Sequence, residues 1–142
     1  MSRIHHINLV VSDLELTTTH FEMLTGVRAR PIETLPQRHV ALRRLRMNGL
    51  WLVLLAPTDA SSPAAEWLEK RGPGLFLLSF SADSLDAELA RLQTEGITPS
   101  SEQRAGLDDW RVVDLDPVAF GGIRVQITES AENKGLESES NE

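Results

Sequence analysis

The stretch that decides the fold is IHHINLVVSDLELTTTHFEMLTGV, Ile4 to Val27, because the chain states it twice. The second statement is GLFLLSFSADSLDAELARLQTEGI, Gly74 to Ile97. Each reads as a strand, a polar cap, an amphipathic helix and a glycine stop. In the first copy Ser12 is the expected N-cap, with Glu15 at capping-box spacing. In the second, Asp83 and Asp86 give a looser version. Leu14 and Phe21 mark the apolar face of one helix, and Leu85, Leu89 and Leu92 that of the other. Gly26 and Gly96 then supply the stop, where a positive φ comes easily only to glycine. Written one above the other, His6 falls on Leu77 and Leu14 on Leu85. The shared order at nearly equal length reads as an internal repeat.

Working outward, each copy is followed by more strands. After the first come strands over Val27 to Thr34 and His39 to Met47, separated by a turn at Pro36–Arg38. Asn48-Gly49 is a two-residue hairpin signal, since both positions of that turn need positive φ. Leu50 to Leu55 is a nearly all-apolar strand, expected to be buried on both faces. Pro57 to Ser62 is a linker, and Ser62-Pro63 opens a short helix, Pro63 to Arg71, closed by Gly72. After the second copy come strands over Thr98–Gln103, Trp110 to Leu115 and Ile123 to Thr128. The expected class is α+β: paired βαβββ modules forming a curved mixed sheet around a cleft. The modules cover about 4–57 and 74–129 of one domain, 1–129, with a linker helix at 62–72. Residues 130–142 are polar and acidic and read as a disordered tail.

Composition narrows the function. The chain has 142 residues, a size for one domain, and a net charge of −7, which disfavours a nucleic-acid partner. No apolar run is long enough to span a bilayer, so no membrane partner is expected, and no signal peptide is apparent. Cysteine is absent, which removes disulfides, thiol nucleophiles and thiolate metal sites and fits a cytoplasmic protein.

The motifs HINLVVSDLE, NGLWLVLLAP, SPAAEWLEKRGPGLFLLSFSADSLDAELARLQTEGI and DPVAFGGIRVQITE, in that order, resemble the vicinal-oxygen-chelate superfamily of glyoxalases, bleomycin-resistance proteins and extradiol dioxygenases. The chain is most similar to its methylmalonyl-CoA epimerase branch, over Ile4 to Glu129. The resemblance implies a divalent metal in the cleft, with His, Gln or Glu, His and Glu as ligands. Carried over by motif, those positions fall on His6, Val53, Leu77 and Gln126. One imidazole is kept, an amide replaces the acid, and two positions hold hydrocarbon. Valine and leucine donate no electron pair, and a histidine with a neutral amide is a poor cage for hard divalent cations. No cofactor is therefore expected; His6 and Gln126 would be its ligands if a metal were bound. The resemblance also implies carboxylate bases, one at Gln126 and one just before the third strand, where this chain reads LPQRHV with Glu33 nearby.

The candidate catalytic residues are thus His6 and Gln126, and the candidate substrate contacts are Trp51, Val53, Leu77, Arg44 and Phe120. His6 can act as a base or a donor. Arg44 belongs to the basic run His39, Arg43, Arg44, Arg46, which suits either an anionic ligand or an exposed strand. Trp51 shares a face with Val53, and Phe120 sits in the FGGI turn, placed to close over the cleft. His5 faces away from His6 and reads as structural or surface. Two functions stay open. One is an isomerase-, epimerase- or lyase-like enzyme acting on an apolar carbonyl or acyl-CoA-like substrate. The other is a non-catalytic small-molecule binding protein of the bleomycin-resistance type. A third reading keeps a metal by recruiting His39, Glu33 or Glu129. The resemblance further implies a homodimer, with Val40–Leu55 as apolar contact surface.

Overall fold

The structure, a computed structural model, describes residues 3–132. It has the α+β, paired βαβββ class expected. The first module is β1 (Ile4–Val10), α1 (Leu14–Thr25), β2 (Glu33–Leu35), β3 (Val40–Met47) and β4 (Leu50–Pro57). A helix, α2 (Pro63–Arg71), follows. The second module is β5 (Gly74–Ala82), α3 (Leu85–Thr94), β6 (Arg104–Ala105), β7 (Arg111–Asp114) and β8 (Val125–Glu129). The described residues form two compact units, one spanning His6–Phe76 and the other comprising residues 3–5 and 77–132.

In the first unit the strands run in the order β2-β3-β4-β1. β1 lies parallel to β4, and β3 is antiparallel to both β2 and β4. Asn48 (φ 44) and Gly49 (φ 83) both have positive φ, as the β3–β4 hairpin requires. One sheet face packs on α1: Leu45, Leu52, Leu54 and Ala56 join Val11 and Leu14, with Phe21 alongside. Alternation then puts His6, Asn8, Trp51, Val53, Arg44 and Arg46 on the other face.

The second unit repeats this in the order β5-β8-β7-β6. β5 lies parallel to β8, and β7 is antiparallel to β6 and β8. Val113, Leu115, Val125 and Ile127 pack with Leu85 and Leu92 of α3. Ser79, Ser81, Asp114, Gln126 and Thr128 occupy the opposite face.

Several local expectations are corrected. Asp13, not Ser12, caps α1: its carboxylate accepts from the Leu16 N–H at 3.0 Å. Glu15 instead pairs with Arg43 at 2.9 Å. Ser84 caps α3 through the Ala87 N–H, displacing Asp83 and Asp86 from that role. The strand expected over Val27–Thr34 shrinks to Glu33–Leu35, because Pro31 has no N–H to give a ladder. The strand expected over Thr98–Gln103 is a single bridge, Pro99 to Leu115, before the short β6. Ser130, expected to open the tail, is buried, and His5 Nε2 lies 3.2 Å from its hydroxyl. Residues 133–142, the rest of that expected tail, lie outside the described residues. Val40, Leu42 and Leu45 are buried in the chain, as are all six residues from Trp51 to Ala56, so they offer little apolar surface to a second copy.

Candidate functional site

Each unit turns one polar sheet face away from its helix, and each face is considered by itself. On the first, register sets two rows. His6 stands beside Trp51, which stands beside Arg46; Asn8 stands beside Val53, which stands beside Arg44. His6, Trp51 and Val53 are all buried. Arg44 is completely buried, and its Nε and Nη2 donate to the two oxygens of Glu33 at 2.9 and 3.3 Å. Its guanidinium carbon also lies 4.6 Å from the Trp51 ring centroid, with those of Arg46 at 5.0 Å and Arg30 at 5.8 Å. A fork-to-fork ion pair under an indole is a rigid arrangement. Arg44, expected as a substrate contact, is instead enclosed by Glu33 and Trp51, so it positions them and presents no surface of its own.

On the second unit's face, a hydrogen-bonded chain crosses three strands. The Ser79 and Thr128 hydroxyls are 2.6 Å apart and both fully buried. Thr128 donates to Gln126 Oε1 at 3.4 Å, and Gln126 Nε2 donates to Asp114 Oδ1 at 3.3 Å. Asp114 as a carboxylate accepts only, which fixes which end of the Gln126 amide faces it. Arg104 closes the chain, its Nη2 lying 3.1 Å from each Asp114 oxygen. Gln126 thus has partners for both ends of its amide, as a buried amide needs. Below the chain, Leu77, Ser100, Asp114, Leu115, Pro117, Arg124 and Val125 line a cavity of about 100 Å³. Burial lowers the pKa of the Arg124 guanidinium; nearby Asp114 works against this and Arg104 adds to it.

Phe120, expected to close over the cleft, is partly buried against the apolar core under α3. The FGGI turn puts Gly121 and Gly122 at positive φ (66 and 88), and the ring is drawn to the apolar side. The residues of the alternative metal reading all have other partners. His39 Nδ1 sits 2.8 Å from Asp59, Glu129 accepts from the Leu85 N–H at 2.9 Å, and Glu33 holds Arg44. His5, read as structural or surface, is buried edge-on to Trp110 at 4.6 Å.

Sequence reasoning missed Asn8, Asp114, Arg104 and Arg124. Asn8 shares the His6 face, and its Oδ1 is buried with no hydrogen-bond partner among the described residues. The alternation His6, Asn8, Val10 was its only signal. Asp114 and Arg104 lie in strands whose pairing the sequence does not reveal, and Arg124 just precedes β8. The donor set does not fit a divalent metal. Val53 and Leu77 are buried hydrocarbon, and among the described residues no three His, Cys, Asp or Glu side chains are grouped to hold one. Among those residues, too, no helix is long and apolar enough to cross a membrane.

Known proteins align along nearly the whole chain. A methylmalonyl-CoA epimerase variant from Streptomyces coelicolor, solved in complex with 2-nitronate-propionyl-CoA, superposes with a TM-score of 0.83 at 28% identity, covering 92% of this chain and 96% of that one. The methylmalonyl-CoA epimerase of Mycobacterium tuberculosis gives 0.83 at 26% identity, covering 95% and 92%. The human mitochondrial methylmalonyl-CoA epimerase is 24% identical over 132 residues, which is 92% of this chain and 75% of that protein. The Glyoxalase/Bleomycin resistance protein/Dioxygenase superfamily matches residues 5–113. On that match, and with the fold it shares with the solved epimerases, the chain belongs to the glyoxalase/bleomycin-resistance/dioxygenase superfamily.

Proposed function

We propose that the protein is an isomerase- or epimerase-type enzyme acting on a carbonyl substrate of acyl-CoA type. The observation that carries this reading is the Ser79–Thr128–Gln126–Asp114–Arg104 chain on the polar face of the second unit. A simple binding cleft has no need of a fixed carboxylate beside an oriented amide. The epimerase relatives make proton transfer next to a thioester the first chemistry to test. His6 is proposed as a proton-transfer group, and Gln126 as a donor that orients a carbonyl oxygen. Trp51, Val53 and Leu77 are proposed as apolar substrate contacts. The donor set gives no reason to route a step through a metal. By resemblance, the working form is proposed to be a homodimer, and the absence of cysteine is taken to fit a cytoplasmic setting.

The test is exchange of the α-proton of methylmalonyl-CoA in D₂O, followed by NMR. Catalysed exchange that His6→Ala abolishes supports the reading. A second reading, a binding protein without turnover, is favoured by Val53 and Leu77, hydrocarbons at two positions where the resemblance implies ligands. Saturable binding of methylmalonyl-CoA with no exchange, tolerant of His6→Ala, would select it.

A further inference from the structure

We infer that Asn8 positions the bound molecule: its side-chain oxygen accepts a hydrogen bond from an N–H of the ligand, and that contact sets which part of the ligand meets His6.

Asn8 stands half-buried on β1, on the sheet face that also carries His6. Its Oδ1 is enclosed and has no hydrogen-bond partner among the described residues. Its register partner Val53 is hydrocarbon, and Arg44, beyond Val53 in the same row, directs its Nε and Nη2 to Glu33.

The repeat supplies an internal comparison. With His6 written over Leu77, Asn8 falls on Ser79, and register places Ser79 beside Gln126 and Gln126 beside Asp114. There the Ser79 hydroxyl lies 2.6 Å from that of Thr128, which donates to Gln126. The corresponding row of the first unit has Val53 where the second has Gln126, so no such chain reaches Asn8. One unit satisfies this position from within, and the other leaves an acceptor open. A buried acceptor left unpaired costs stability, and an amide oxygen has no proton of its own to give. A donor arriving with the ligand removes that cost, so the contact is worth more in the complex than an exposed one.

The strand fixes where on the ligand the donor lies. His6 and Asn8 are two residues apart on one face, which puts them about 6–7 Å from each other along β1. The identity of the donor rests on the acyl-thioester reading. In an acyl thioester carried on a cysteamine arm, the α-carbon and the amide nitrogen are about five bonds apart, roughly 6–7 Å when extended. An amide N–H held at Asn8 therefore sets the α-carbon beside His6, the group proposed to move its proton. Asn8 thus selects the ligand by its arm and not by its acyl group.

The test uses the full chain and two propionyl thioesters, one of N-acetylcysteamine and one of 2-mercaptoethyl acetate, in which an ester oxygen replaces the amide N–H. NMR titration reads their affinities for wild type, Asn8→Leu and Asn8→Asp, with N-methylacetamide as a third probe, and thermal melts establish that the variants are folded. Wild type is expected to prefer the amide compound roughly tenfold, the value of one hydrogen bond. Asn8→Leu keeps much of the shape but removes the acceptor, and should erase the ratio. Asn8→Asp keeps an oxygen acceptor and should keep a preference for the amide compound. Equal affinities in wild type, or a preference lost in Asn8→Asp, overturn the inference and leave the acyl-thioester reading in place. So does a ratio that survives Asn8→Leu, which would mean that water and not ligand meets the Asn8 oxygen. If neither thioester binds but N-methylacetamide binds wild type and not Asn8→Leu, Asn8 stands as a reader of amide donors and the acyl-thioester reading falls. If no probe binds, the inference is overturned.

Discussion

Arg44 and Asp114 hold the same place in the two modules and carry opposite charges. Arg44 lies on β3 two residues past Leu42, the register partner of Glu33 on the edge strand, and it pairs with Glu33. Asp114 lies on β7 two residues past Val112, the register partner of Arg104 on its edge strand, and it pairs with Arg104. The repeat therefore keeps the ion pair and exchanges its polarity. Each inner member also stands beside a position the family resemblance assigns to a metal ligand: Val53 next to Arg44, Gln126 next to Asp114. A fixed cation beside hydrocarbon needs no further partner from β4. A fixed carboxylate beside an amide does, and Gln126 supplies it.

The first pair governs stability. The Arg44 side chain is 1% exposed and that of Glu33 27%, so Glu33→Gln takes a two-point carboxylate contact away from a buried cation. Glu33→Gln should cost about 3 kcal/mol in denaturant unfolding. The double change Glu33→Gln with Arg44→Met should cost less than the sum of the single changes, because the two residues share one contact that either change removes. Additive costs would mean that the pair contributes nothing as a unit.

Much of this was legible in the sequence, and the limit has a physical cause. The repeat, the Asn48-Gly49 hairpin and the α2 boundaries at Ser62 and Gly72 follow from local chemistry, and the structure has all of them. The edge strands β2 and β6 were misplaced because each is a minimal ladder whose position depends on its neighbour. The family motifs pointed to His6 and Val53 in the first unit and to Leu77 and Gln126 in the second. The Arg44–Glu33 and Asp114–Arg104 pairs were not, because register between strands decides which charges meet. Phe120 was misjudged because a turn residue has no alternation to say which face takes it.

The donor set predicts how the protein handles metals. After incubation with Mn²⁺, Co²⁺, Ni²⁺ and Zn²⁺ and exhaustive desalting, the purified chain should retain far less than one ion per molecule by elemental analysis. Hard divalent ions need several carboxylate, carbonyl or imidazole donors, and no such group of acidic, His or Cys side chains exists among the described residues. Stoichiometric metal that His6→Ala removes would defeat this expectation. It would bring the family's metal chemistry back to His6 and Gln126.

His5 predicts a structural effect separable from that of His6. It is buried edge-on against Trp110 at 4.6 Å, and its Nε2 lies 3.2 Å from the Ser130 hydroxyl and 3.3 Å from Glu132. Removing the ring opens a cavity and frees buried polar groups, so His5→Ala should destabilise by about 2–3 kcal/mol. Ser130→Ala, which takes away a single partner, should cost about 1 kcal/mol. Tryptophan fluorescence should shift in His5→Ala and hardly at all in Ser130→Ala. The converse pattern would mean that the aromatic contact is not what holds Trp110.

Gln126 predicts a pH-dependent penalty. Its amide donates to Asp114 Oδ1 at 3.3 Å while being 6% exposed. Gln126→Glu sets a second carboxyl group at that distance, and two like charges so close do not both ionise cheaply. The carboxyl introduced at 126 is then held above the ordinary carboxylate range in the folded state, but not in the unfolded chain. A carboxyl with a raised folded pKa carries no penalty below its unfolded pKa. The penalty grows as pH rises from about 4 toward the folded value and is constant above it. Melting temperatures of wild type and variant should therefore converge in acid and separate by several degrees at neutral pH, a difference of about 1–2 kcal/mol. The companion Gln126→Glu with Asp114→Asn should remove the separation, because an amide again faces a carboxylate with the roles reversed. A gap that persists in the double variant would show that Gln126 is needed for its shape or for its Thr128 contact, and not for neutrality beside Asp114.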